Sequence, residues 1–193
     1  KTNTTKSILP KLKIDKNRAY LLSLNLIQKG DTINGIKFLK MAVDEGLNNA
    51  QYLYGRYCIE GQYVKKNISL GISYIQKAAK SNNVEALAYL GDAYYLGLQG
   101  FKKDSVESVR WYEKSAKRGF FNAQYRVGNF YFNANDTTSA VNYWQMLINN
   151  KKAEKPKKCL KYFFIKTVYY TEHKKSIEKV RKYLFRKTRR KGI

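Results

Sequence analysis

The chain has 193 residues, 44% hydrophobic and 15% aromatic, enough for one solenoid-like domain and too apolar to be disordered throughout. Its formal charge of +24 is unevenly spread: residues 1–18 carry 6 Lys/Arg against 1 acid, residues 19–150 carry 15 against 10, and residues 151–193 carry 17 against 3. Solubility of a small domain needs no more than about 8 net charges, so the excess points to a polyanionic partner, nucleic acid or an anionic membrane. The distribution divides the chain into a basic arm (1–18), a central region (19–150) and a basic extension (151–193).

The central region repeats itself. Ala50, Ala86 and Ala123 are 36 and 37 residues apart, and each precedes a glycine by five: Gly55, Gly91, Gly128. A fixed period of this size means stacked helical hairpins. Read in chain order, Ala19–Lys29 opens the region as an imperfect unit, with Leu24 where glycine is expected and a shortened loop. Gly35-Ile36-Lys37-Phe38 begins the first second-helix. Ala50–Gly61, Ala86–Gly97 and Ala123–Ala134 are the later first helices, small at Ala and Gly so that a neighbouring helix can approach closely. Their large residues (Tyr54, Leu90 and Val127; then Cys58, Tyr94 and Tyr131) fill the layer between helices.

Basic loops follow, Lys65-Lys66-Asn67 and Lys102-Lys103-Asp104, whose Asn67 and Asp104 suit a helix N-cap. The second helices share an aromatic (Phe38, Tyr74, Trp111) followed four residues on by a small residue (Ala42, Ala78, Ser115). They stop at Gly46, Asn82 and Gly119, residue types that tolerate a left-handed C-cap.

The pattern Ala-x4-Gly-x2-Tyr-x2-Gly, a loop with Asp or Asn, then aromatic-x3-Ala/Ser-Ala-x2-Gly, is well kept in Ala86–Gly119 and fairly kept in Ala50–Asn82. It resembles the Sel-one-like repeat family, relatives of tetratricopeptide repeats. The resemblance implies an all-α, right-handed solenoid of stacked helical hairpins over residues 19–150, with degenerate outer units. It further implies that first helices line a concave face. There the exposed positions would be Tyr52, Arg56 and Ile59, then Ala88, Asp92 and Tyr95, then Tyr125, Asn129 and Phe132. Such a face, aromatic and mixed in charge, suits an extended or apolar peptide segment; packing of these rings between units is the alternative.

Beyond the repeats, Pro156 opens an expected helix to Tyr170, apolar nearly all round. A second, Lys174 to Arg190, sets Ile177, Val180 and Leu184 against a ridge of Lys175, Lys179, Lys182, Arg186 and Arg189, with Arg190 adjoining. That ridge fits phosphates of RNA or DNA, and also describes a membrane-surface helix; Lys187–Lys191 resembles a nuclear address. Cys58 and Cys159 have no metal-like spacing, His173 has no partners at triad spacing, and no phosphate-cradling loop is present, so neither an enzyme nor a cofactor is expected. No stretch has transmembrane length and no targeting segment is visible.

Three functions remain. The main expectation is a non-catalytic subunit of a ribonucleoprotein, such as a mitochondrial ribosome, with protein subunits on the solenoid and ribosomal RNA on the basic ends. The first alternative is a protein–protein adaptor or assembly factor, and the second a peripheral membrane scaffold held by its tail. Localisation is expected to be mitochondrial, or else cytoplasmic.

Overall fold

The computed structural model describes residues 14–149, and the structural statements below concern those residues alone. They form helices only: α1 (Lys16–Gln28), α2 (Thr32–Asp44), α3 (Asn48–Glu60), α4 (Ile68–Lys80), α5 (Val84–Leu96), α6 (Ser105–Lys117), α7 (Phe121–Asn133) and α8 (Thr137–Asn149). Consecutive pairs, α1/α2 through α7/α8, pack as antiparallel hairpins. Two compact units result, one ending at Ser81 and the other beginning at Asn82. The expected arm boundary falls inside a helix, since α1 starts at Lys16 and Ile14 already packs on the core of the first unit.

Every helix has 13 residues. Hairpins follow one another through three-residue turns, so helix starts at Lys16, Asn48, Val84 and Phe121 lie 32, 36 and 37 residues apart only because the turn inside each hairpin varies. Caps fix these lengths. Asp15, Asp31, Asn67, Asn83, Asp104 and Asp136 each accept backbone N–H groups of the turn that follows, satisfying donors that a helix start leaves orphaned. Gly46, Asn82 and Gly119 after the second helices, and Gly61 and Gly97 after two first helices, have left-handed φ values.

Each hairpin crosses at a pair of small residues. In α3/α4 these are Gly55 and Gly71: a Cβ on Gly71 would stand 2.6 Å from the Gly55 carbonyl oxygen. In α5/α6 the pair is Gly91 and Ser108, and the Ser108 hydroxyl donates to the Gly91 carbonyl at 2.8 Å. In α7/α8, Gly128 lies beneath the Trp144 indole and Ala140 holds the place of Gly71. The first hairpin corrects the sequence register. Its small residue is Ser23, fully buried with its carbonyl against Gly35, whereas Leu24 faces outward. Ala19 is the fourth residue of its helix and Ala50 the third, so aligning the two alanines shifts the unit by one.

The core of the first unit gathers Ala19, Leu39, Ala42, Val43 and Ala50, with Phe38, Tyr54, Tyr57 and Tyr74 around them. In the second unit Ala88, Tyr112, Ala116, Ala123 and Val127 pack together, flanked by Tyr131 and Tyr143. The expected aromatic–small pairing of the second helices holds: Ala42, Ala78 and Ser115 are fully buried beneath half-exposed rings, and Ser115 donates to the Val84 carbonyl at 2.7 Å.

Candidate functional site

A 13-residue helix packed on two sides leaves one stripe toward solvent. On the first helices that stripe recurs at spacings of 4, 3 and 4: Asn17, Leu21, Leu24 and Gln28 on α1, and Asn49, Leu53, Arg56 and Glu60 on α3. On α5 it is Glu85, Tyr89, Asp92 and Leu96, and on α7 Asn122, Arg126, Asn129 and Asn133. Sequence reasoning had chosen a stripe partly rotated from this one. Arg56, Asp92 and Asn129 lie on the observed stripe; Tyr52 and Tyr125 border it, half-buried, and Tyr95 is exposed. Phe132 is half-buried with its ring 5.6 Å from that of Trp144. Ile59 and Ala88 are core residues, not surface ones: Ile59 packs over Gly71, and Ala88 belongs to the apolar cluster of the second unit. Leu21, Leu24, Leu53, Tyr89 and Arg126 were missed, because a stripe can be phased only once the packed faces are known.

The two units present different chemistry. In the first, leucines occupy the middle of the stripe, and the only ion pair along it joins Arg56 to Glu60 at 2.6 Å, the bond to Glu60 holding the guanidinium more firmly protonated. In the second, Asp92 is committed internally: it accepts the Tyr112 hydroxyl at 2.6 Å and pairs with Arg126 at 3.0 Å, while the Arg126 guanidinium lies over the Tyr112 ring. Burial first, and then the Asp92 bond, push the Tyr112 phenol well above its usual range. This network couples α5, α6 and α7. Elsewhere in the same unit, Glu113 accepts from Tyr131 at 2.7 Å and from Tyr143 at 3.1 Å, and the two rings stack. The Glu113 bond pushes Tyr131 up to about 12, and burial followed by the Glu113 charge raises Tyr143.

Among the described residues no three His, Cys, Asp or Glu side chains gather as metal ligands, and no helix is long and apolar enough to cross a membrane. Cys58 is buried, which raises its thiol pKa. The proposed RNA ridge (Lys175, Lys179, Lys182, Arg186, Arg189, Arg190) lies outside the described residues, as do Cys159, His173 and both expected C-terminal helices.

The model of the Sel1 repeat matches residues 48–83, 84–120 and 122–150, which are the hairpins α3/α4, α5/α6 and α7/α8. The chain belongs to the Sel1 repeat family. The α1/α2 hairpin falls outside the match; it carries Ser23 in the position that glycine holds in α3, α5 and α7. Among solved structures, this Sel1 repeat protein is similar to one from Oxalobacter formigenes, with 27% identity and a TM-score of 0.66 over 75% of this chain and 62% of that one. It is also similar to a protective antigen of uropathogenic Escherichia coli displaying an SLR fold, with 22% identity and a TM-score of 0.63 over 79% of this chain and 38% of that one. The chain thus spans less than two thirds of either protein's length. No curated protein matches the sequence. The all-α repeat architecture expected from the sequence is the one observed, and repeats of this kind act generally as interaction scaffolds.

Proposed function

We propose that this Sel1 repeat protein is an adaptor whose first-helix stripes take up segments of partner proteins. The observation that carries the reading is the stripe itself. Large side chains remain accessible on or beside it (Leu21 and Leu24 on the stripe in one unit, Tyr95 bordering it in the other), and no charge dominates it. A surface with apolar anchors and a polar rim suits an extended or helical peptide, whose affinity rests on a few anchors.

The test is affinity for peptides selected by display against the full chain. Leu21→Asp with Leu24→Asp, or Tyr95→Ala, should weaken selected peptides tenfold or more. Unchanged affinity in both variants would refute the role of the stripe.

The charge past Asn150 supports a second reading, that of a ribonucleoprotein subunit, for example in a mitochondrial ribosome. In this case the tail lies along RNA phosphates while the repeats contact protein. Affinity for single-stranded RNA should then fall by about 0.7 decades per phosphate contact for each tenfold rise in salt. Replacing Lys175, Lys179, Lys182, Arg186, Arg189 and Arg190 by Gln should flatten that slope, and an unchanged slope would refute it.

A further inference from the structure

Twelve large apolar side chains are exposed among the described residues, and seven of them sit at the two long hairpin tips. In the second unit these are Tyr95, Leu96, Leu98 and Val106, between 38% and 61% exposed, around Lys102-Lys103. In the first unit they are Tyr63, Ile68 and Leu70, around Lys65-Lys66. The three-residue turn at 134–136 carries neither feature. Two independent loops therefore carry the same combination, a lysine pair amid apolar side chains that the fold does not bury.

Both tips are built, not slack. The Asp104 N–H donates to the Tyr94 carbonyl at 2.9 Å and the Leu98 N–H to the Ala93 carbonyl at 3.0 Å, so the eight-residue turn is tied back onto its helix. The Phe101 ring packs edge-on against Tyr94 at 4.9 Å. The first unit repeats the device: Asn67 N–H donates to the Cys58 carbonyl at 2.7 Å, and Tyr63 packs edge-on against Tyr57 at 5.1 Å. Gly100 has open space where a side chain would stand.

We propose that the long hairpin tip of the second unit, residues 95–106, seats this protein on an anionic membrane surface. The inference goes beyond the adaptor reading and uses the hairpin tip, which shares only Tyr95 and Leu96 with the first-helix surface of that reading. The apolar residues come from a contiguous stretch at a tip rather than from the walls of a groove, which fits a planar apolar layer better than a peptide. Lysines beside them can keep their ammonium groups at the headgroups while their stems lie along apolar surface, and tyrosine favours the same boundary. The tip's acids are already engaged: Asp104 caps α6 through the Val106 and Glu107 N–H groups, and Glu107 pairs with Arg110. Lys102 and Lys103 thus face phosphatidylserine-type headgroups without a competing carboxylate.

The experiment is co-sedimentation of the full chain with vesicles of phosphatidylcholine alone or mixed with phosphatidylserine, at physiological and at high salt. Leu96→Ser with Leu98→Ser, and separately Lys102→Glu with Lys103→Glu, alter exposed residues only; circular dichroism confirms that each folds. Each pair should lower partitioning onto the mixed vesicles about tenfold. The leucine pair should still matter at high salt, where attraction by the basic tail is screened. Equal partitioning of all three proteins would overturn the proposal. So would a lysine variant that loses affinity for polyglutamate yet keeps its vesicle binding, since the tip would then serve an acidic protein.

Discussion

The crossing of α3 and α4 gives the most demanding test of the packing argument. Gly71→Ala adds one methyl group that would lie 2.6 Å from the Gly55 carbonyl oxygen and 2.5 Å from Ile59 Cγ1. The Ile59 side chain can turn aside, but the carbonyl belongs to helical backbone and moves only if α3 moves with it. Overpacking of this kind costs about 1–3 kcal/mol, while replacing a mid-helix glycine by alanine returns about 1 kcal/mol of propensity. Because the carbonyl cannot turn aside, the overpacking cost falls at the upper end, about 2–3 kcal/mol, and the net expectation is a loss of about 1–2 kcal/mol. For a unit of this size that lowers Tm by roughly 4–16 °C. Urea unfolding followed by circular dichroism at a fixed m-value, with a thermal melt beside it, measures the change. A variant as stable as the parent would mean that close backbone approach at this crossing is not what requires glycine. Ser108 and Ala140 hold the same place in the second unit, so the cost belongs to the Gly55–Gly71 pair and not to the position in general.

Two further outcomes follow from local chemistry. Gln99 adopts a left-handed φ of 48° and buries an Oε1 atom without a hydrogen-bond partner; Gln99→Gly removes both penalties at some cost in unfolded-chain entropy and should stabilise the second unit by about 1 kcal/mol in the same melts. The Tyr131 phenol, held up to about 12 by Glu113 and burial, stays protonated in the folded chain at pH values where an unfolded tyrosine ionises near 10. Its contribution is therefore complete below about pH 10 and is lost as pH rises through about 12. Melts across that window should show the decline, and Tyr131→Phe should lessen it without abolishing it, because the Tyr112 and Tyr143 phenols are raised as well.

How much could be read from the residues alone depended on whether a position answers to local or to tertiary physics. Asn67 and Asp104 were legible as caps because capping is satisfied within four residues of sequence, and Gly46, Asn82 and Gly119 were legible as stops for the same reason. The alanine–glycine register was legible from α3 onward because the in-hairpin turns there differ by a single residue before the third copy. It failed in α1, where a three-residue turn removed the spacing that the alignment relied on and Ser23 stands in the place of glycine. The interaction stripe was the least legible part. Ile59 and Ala88 look like any surface position until Gly71 and Tyr112 are placed beside them. Nor does the sequence advertise that Asp92 is tied to Tyr112 and Arg126 rather than offered to a partner.

The equal length of all eight helices and the constancy of the three-residue links confine variation to a single place, the bend within each hairpin. Residues can be added or removed there without altering how one layer meets the next. That bend is consequently where this scaffold can acquire new chemistry at least cost to its stacking, and where transplanting the 97–104 segment into the 134–136 bend would show whether a tip's properties travel with it.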